Sequence, residues 1–398
     1  MRKAYDLRAR VSEPEKFYIE STYYHYVTGD LEKARQAYEL SAQTYPRYAG
    51  TPLRLWVLYT NIGQYDNALT QIREAIRLDP SRAVNHSDLV LSYIDLNHFQ
   101  EARSIAQQVQ AKHLDSTFLR FNLYRLFFLV NDASGMAEQV EWASGKTGTE
   151  DVLLALEADS AAYFGGLTKS RGLSRRATAS AIQAKKKNVA AAYQVRAALR
   201  EALSGNMTEA RLLVSSALGR SVPKDAQFGA ALVLALAGDP SRAQLLADDL
   251  AKRFPDDTIV HFNYLPVIHA QLALSRRQVS KAIEVLQVAA PYELAAPGNV
   301  ALWSPSLYPI YLRGNAYLAA HQGSAAAVEF QKIIDHRGIV ANQPIGALAH
   351  LQLGRAYALS GDKNKARSAY QDFLTLWKDA DPDIPILKQA KAEYAKLQ

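Results

Sequence analysis

The chain is 398 residues long, more than one ordinary hydrophobic core accommodates, so it forms either several domains or one extended array. Hydrophobic residues make up 48% and charged residues 21%, with 20 glycines, 15 prolines and more tyrosine than phenylalanine; helix formers dominate, which favours the array. The absence of cysteine excludes disulfides, thiol nucleophiles and cysteine-ligated zinc, while a net charge of +7 spread over 46 basic and 39 acidic residues describes a mixed, solvated surface.

The N-terminal residues Met1 to Asp6 lack the apolar core of a signal peptide, and no run of about 18 apolar residues follows. A cytoplasmic location is expected, or an extracytoplasmic one if a membrane helix precedes the chain. Residues 1–12, around Lys3-Ala4-Tyr5-Asp6-Leu7-Arg8, read as the second helix of a missing unit. Ser12-Glu13-Pro14-Glu15 then supplies a capping serine, a first-turn proline and a glutamate three residues on, which together start a helix. From there a period governs the chain. Gly29, Gly63, Asn97, Asn131 and Gly165 recur every 34 residues, Ala34, Ala68 and Ala102 keep the same interval, and Pro46 and Pro80 close the first two units. In the first unit Gly29 ends one helix and Asp30 caps the next, which carries Leu31, Ala34, Tyr38 and Ala42 on one face. The same Gly-Asp punctuation returns at Gly238-Asp239 and Gly361-Asp362.

A small residue is required where paired helices touch, and the markers of the second helices run Ala34, Ala68, Ala102, Met136, Ser170, Ala210, Ala243, Ala282, Ala326 and Ala366. This predicts about ten helical hairpins: an N-terminal array over 13–187, degenerate middle units over 188–289, and C-terminal units over 305–381. Two prolines in Ala290-Pro291-Tyr292-Glu293-Leu294-Ala295-Ala296-Pro297 predict an inserted loop over 290–304, and residues 382–398 read as a capping helix.

These residues resemble the tetratricopeptide repeats. Leu353-Gly354, Tyr357, Ala366 and Tyr370 match the pattern best, followed by Gly314, Tyr317, Ala326 and Phe330, and by Tyr59, Ala68, Ala75 and Pro80. The resemblance implies an all-α solenoid, a superhelix of antiparallel helix pairs whose concave face is lined by first helices and binds a polypeptide. On that register the candidate partner-binding groove contains Tyr23, Tyr26, Asn122, Arg125, Tyr264, Gln271, Tyr311, Asn315 and Arg355, aromatic and hydrogen-bonding groups suited to gripping a peptide. From Ala4-Tyr5-Asp6-Leu7-Arg8 and Phe17-Tyr18-Ile19-Glu20 through Asp372-Phe373-Leu374-Thr375-Leu376-Trp377, the chain also resembles the C-terminal repeat region of large bacterial serine/threonine protein kinases. Related repeats follow winged-helix regulators. That resemblance implies a sensory or docking arm covalently linked to an upstream kinase or regulator domain.

Catalytic motifs are not found. His336-Arg337-Gly338 is not a kinase catalytic loop, and Gly165-Gly166-Leu167-Thr168-Lys169-Ser170 lacks the glycine that precedes the lysine of a phosphate-binding loop. His261 and His269 are eight apart without the glutamate of zinc hydrolases, and the basic residues Arg171, Arg175, Arg176 and Lys185 to Lys187 have no interleaved aromatics. The expectation is a scaffold with no enzymatic activity, no metal, no cofactor and no nucleic-acid partner.

Overall fold

The computed structural model describes residues 1–219, 222–297 and 305–397; among them the regular structure is helical throughout. A short α1 (Arg2–Asp6) precedes five hairpins: α2 (Glu13–Tyr23) with α3 (Leu31–Thr44), α4 (Gly50–Asn61) with α5 (Tyr65–Leu78), α6 (Ala83–Asp95) with α7 (Phe99–Ala111), α8 (Thr117–Leu129) with α9 (Ala133–Ala143), and α10 (Glu150–Tyr163) with α11 (Leu167–Gln183). Four more follow: α12 (Lys187–Ser204) with α13 (Met207–Leu218), α14 (Lys224–Leu236) with α15 (Pro240–Arg253), α16 (Leu265–Ser275) with α17 (Val279–Gln287), and α18 (Tyr308–Ala319) with α19 (Gly323–Asp335). After a four-residue α20 (Arg337–Val340) come the last pair, α21 (Pro344–Leu359) with α22 (Lys363–Leu376), and α23 (Pro385–Ala395).

Local chemistry accounts for the hairpins. Glu15 accepts from the Ser12 amide at 3.0 Å in a capping box that starts α2. Asp30, Asp132, Asp239 and Asp362 each cap a second helix by accepting an amide hydrogen three residues on. Every hairpin turns on one left-handed residue: Gly29, Gly63, Asn97, Asn131, Gly165, Gly205, Gly238, Arg277, His321 and Gly361. Arg277 and His321 adopt the same backbone with large side chains, so the geometric repeat continues where the letters cease to show it. Of the ten small-residue markers, all but Met136 are buried. At Gly354 a methyl group would lie 2.8 Å from the Tyr370 ring, so the family's glycine and aromatic positions are the two sides of one close helix contact.

The superhelix closes on itself. The linker after the seventh hairpin lies against the turn of the first: the Thr258 amide donates to the Gly29 carbonyl at 3.0 Å, and the Thr258 hydroxyl accepts from the Leu31 amide at 3.0 Å. One unit later the Tyr65 hydroxyl donates to the Leu294 carbonyl at 2.7 Å. Asn97 then gives its side-chain amide to the Asp335 carbonyl and accepts from the Gly338 amide, both at 2.8 Å. At the fifth turn the Asp381 amide donates to Gly165 and the Trp377 indole to the Tyr163 carbonyl. Successive turns are thus welded through backbone groups that an isolated hairpin would leave to water. The expectation of an open, curved interior along the whole array is therefore corrected. First helices α10 and α21 pack on each other across the axis, and α10, α12 and α21 carry buried residues on every side.

The segments between and beyond the hairpins are tied in as well. In the stretch 290–304 expected to be a loop, Ala290–Tyr292 forms a 3-10 turn and Leu294 reaches the Gly63 turn, while residues 298–304 lie outside the described residues. The α1 segment docks on α2, where Tyr5 stacks on Tyr23 with ring centres 3.9 Å apart and Arg8 meets Glu20 at 2.8 Å. Helix α23 buries Leu387 and Ala390 and leaves Lys388 and Lys391 exposed.

The seam makes a prediction about two glycines. A methyl group on Gly338 would sit 1.7 Å from the Ile94 carbonyl oxygen, whereas one on Gly172, inside α11, meets nothing within 4 Å. Gly338→Ala is expected to cost about 1–3 kcal/mol in urea unfolding and to raise the radius of gyration in small-angle scattering. Gly172→Ala is expected to stabilise by about 0.5–1 kcal/mol. Equal unfolding midpoints for the two variants would contradict the close approach of the turns.

Candidate binding cavity

Where the two superhelical turns part, at the N-terminal end, they enclose a cavity of about 620 Å³. Its first wall comes from successive first helices and the segment after α2: Tyr26, Trp56 and Val57 on α4, Val84 and Leu91 on α6, Phe118 and Phe121 on α8, and Leu156 on α10. The second turn supplies the facing wall through Phe254, Ile259 and Pro297. Two π-helical turns flank the place where the walls meet. One, Tyr24–Thr28, extends α2, and the other, Val260–Tyr264, leads into α16. The wider turn displaces the side-chain register and brings His25 and Tyr26 to the cavity edge.

Polar groups punctuate these apolar walls, and most are committed to partners. Trp56 donates its indole hydrogen to the Ser92 hydroxyl at 2.8 Å. His25 lies 3.2 Å from the Asn61 amide nitrogen, and burial, with Lys224 beside it, lowers its pKa to about 4, so the ring is neutral. Lys224 pairs with Asp257 at 2.6 Å, and Asp257 also accepts from the Val260 amide. Asp225 accepts from the Tyr264 hydroxyl at 2.8 Å, and burial raises its pKa. Asp88, on α6, is held up at about 8 by desolvation against the pull of Arg82, and Asp95 on the same helix at about 7. Arg125 is buried on α8, and burial weakens its hold on the proton against the favourable field of Asp95. Among the described residues no group of three or more His, Asp or Glu side chains is placed to hold a metal. The chamber presents desolvated, mostly fixed polar groups on aromatic walls, an arrangement suited to recognition.

Family models for the tetratricopeptide repeat match residues 311–383, the hairpins that show the glycine–aromatic contact, and residues 57–82, the hairpin with the left-handed turn at Gly63. These hairpins are tetratricopeptide repeats. Similar solved structures include yeast Tom70, at 10% identity and a TM-score of 0.37 over 96% of this chain and 95% of that one. The human IFIT1 dimer with PPP-AAAA matches at 14% identity and a TM-score of 0.46, covering 93% and 85%. A tetratricopeptide repeat protein from Parabacteroides merdae matches at 14% identity and a TM-score of 0.33, covering 77% and 98%. No curated protein matches the sequence. The assignment rests on the matched repeats and on the hairpin geometry, and a fold of this family suggests a protein–protein interaction scaffold. No helix among the described residues is long and apolar enough to cross a membrane.

The tetratricopeptide register brings together three of the nine groove residues expected from sequence: Tyr26, Asn122 and Arg125 all line the cavity. The other six lie elsewhere. Tyr23 is turned to Tyr5, and Tyr264 is fully buried, stacked on Phe228 with ring centres 4.2 Å apart. Tyr311 is buried against Phe330 and accepts from Gln352 at 3.3 Å, with Asn315 half-buried beside it. Arg355 is locked to Glu393 of α23 at 2.8 Å, and Gln271 is half-buried on α16 without a cavity contact. The α1 segment takes up Tyr23, and the later units spend their side chains on packing and on the capping helix, so Tyr264, Tyr311 and Arg355 do not form an open groove. In the basic stretch, Arg171 is spoken for by Glu201, while Arg175, Arg176, Lys185 and Lys187 face solvent.

Sequence reasoning missed Asp88, Trp56, Phe118 and the Lys224–Asp257 pair. A carboxylate directly before Leu89-Val90-Leu91 is a legible sign of a buried acid. Nothing local marks Lys224 or Asp257 as neighbours of residues about two hundred positions earlier. The raised Asp88 pKa sets a pH dependence. Between about pH 4, where the unfolded carboxyl ionises, and pH 8, where the native one does, only the unfolded chain gains from ionisation. The stability intact below that window is lost as pH rises through it. Asp88→Asn is therefore expected to melt at least about 2 °C above the parent at pH 8.5, the difference closing near pH 4. A difference constant across that range would contradict a protonated Asp88.

Proposed function

We propose that this array is an interaction scaffold that receives a polypeptide segment at the mouth of its lumen, on the first helices of the first four units. One observation carries the reading: Tyr26 and Phe118, at the cavity edge, are 61% and 46% exposed. Large aromatic rings left in solvent beside a preformed cavity are the residue type that anchors partners, because they offer much contact area for few rotatable bonds. Tyr18 and Tyr48 are exposed as well, with the Arg54 guanidinium 4.6 Å and 6.0 Å from their ring centres. Asn122 and Arg125 supply hydrogen-bonding groups on the cavity wall.

Crosslinking in the native cell followed by mass spectrometry identifies the partner and the residues it touches. The double variant Tyr26→Ala with Phe118→Ala is expected to weaken that partner at least about tenfold, equivalent to about 1.4 kcal/mol. Helix content is expected to be unchanged, since both side chains are largely exposed. Undiminished affinity, or crosslinks confined to the outer second helices, would remove this reading. The resemblance to kinase C-terminal repeat regions supports a narrower version, in which the scaffold is the docking arm of a larger signalling protein. An in-frame kinase or winged-helix domain upstream of Met1 is the expected finding; a stop codon directly upstream would exclude it.

A further inference from the structure

Deeper than the aromatic rim, the cavity holds a cation that the fold leaves without a hydrogen-bonding partner. Arg125 lines the chamber, is 7% exposed, and donates no hydrogen bond among the described residues; its Nε is buried with no acceptor. The other cation of the chamber differs, since Lys224 is satisfied by Asp257 at 2.6 Å. A guanidinium taken out of water without an acceptor is costly, and the cost is recovered when an anion fills the site. Its planar fork matches a carboxylate through two parallel hydrogen bonds.

The surroundings restrict the anion further. Asp257, paired with Lys224, and Asp225 also face the cavity and disfavour a second or third negative charge, which argues against phosphates and polyanions, while Asp88 holds its proton and adds no charge. Trp56, Leu91, Phe118, Phe121 and Leu156 require an apolar body. The volume of about 620 Å³ lies within the range of sites for compact organic ligands. We propose that the lumen binds a small monocarboxylic acid with an apolar body, its carboxylate on Arg125 and its body against the aromatic walls. This goes beyond the polypeptide reading and does not depend on it, because the rim can receive a partner whether or not the chamber is filled.

The test uses the full chain and isothermal titration with decanoate, decan-1-ol and decyl phosphate at neutral pH. Decanoate is expected to bind at one site at least about tenfold more tightly than the alcohol and more tightly than the phosphate. Arg125→Met is expected to bring decanoate down to the level of the alcohol while leaving the alcohol unchanged, and Arg125→Lys to fall between. Should Arg125→Met fail to fold, the parent's acid-to-alcohol ratio decides, together with decanoate-dependent slowing of amide exchange in α6 and α8. Equal affinity for acid and alcohol, a ratio unaffected by Arg125→Met, or slowing confined to the outer helices would overturn the proposal. So would tighter binding of an N-acetylated apolar tripeptide with a free C terminus than of decanoate, which would assign the carboxylate to a polypeptide end.

Discussion

The contact between successive superhelical turns is the constraint on which the rest of this protein depends. A helical hairpin turned by a left-handed residue leaves backbone carbonyls and amides exposed at its tip. Here those tips, at Gly29, Gly63, Asn97 and Gly165, are covered by linkers more than two hundred residues further along. The small turn residues permit the approach: a methyl group on Gly29 would lie 2.2 Å from the Asp257 carboxylate and one on Gly165 2.4 Å from Ala380. An array stabilised only between neighbouring repeats gains in this way a second set of interfaces along its axis.

Closing the superhelix divides the lumen into two regimes. Toward the C-terminal end the first helices meet across the axis, and charged groups drawn inside are paired with one another: Asp159 with Arg196 and Arg200, and Arg313 with Glu293 and Glu329. Such pairs are satisfied by the fold and leave no vacancy for a ligand. Toward the N-terminal end the walls stand apart, and the buried polar groups are less fully matched. Asp88 avoids the cost of burial by holding its proton, while Arg125 cannot shed its charge and faces the chamber without an acceptor. The same two-turn closure therefore makes a rigid core at one end and a recognition chamber at the other. The π-helical turns before Gly29 and before α16 sit at the border, where His25, inside the first, and Ile259, just before the second, reach the chamber from opposite turns.

The hairpins, their caps and their crossing points were legible in the chain because each rests on interactions within about one repeat. Asp30 and Asp362 cap the helices that follow them, Ala34 through Ala366 mark the crossings, and Gly354 announces its contact with Tyr370. Even at Arg277 and His321, where the letters depart from the pattern, the spacing of the neighbouring alanines keeps the unit in register. The candidate site was legible only where a first helix faces open space, as at Tyr26, Asn122 and Arg125. Tyr311 and Arg355 occupy comparable first helices and carry the same residue chemistry, yet one is buried and the other is bound to the capping helix.

What the sequence determined by itself is the class of the molecule: an all-α tetratricopeptide array, set by a short-range period in turn residues, caps and small side chains. What only the tertiary structure decided is the closure of that array and the chamber it leaves. The pitch of a superhelix accumulates from small rotations at every repeat, and no local signal records their sum. Residues such as Lys224 and Asp257 become neighbours of His25 and Gly29 only after seven hairpins have brought the chain round upon itself.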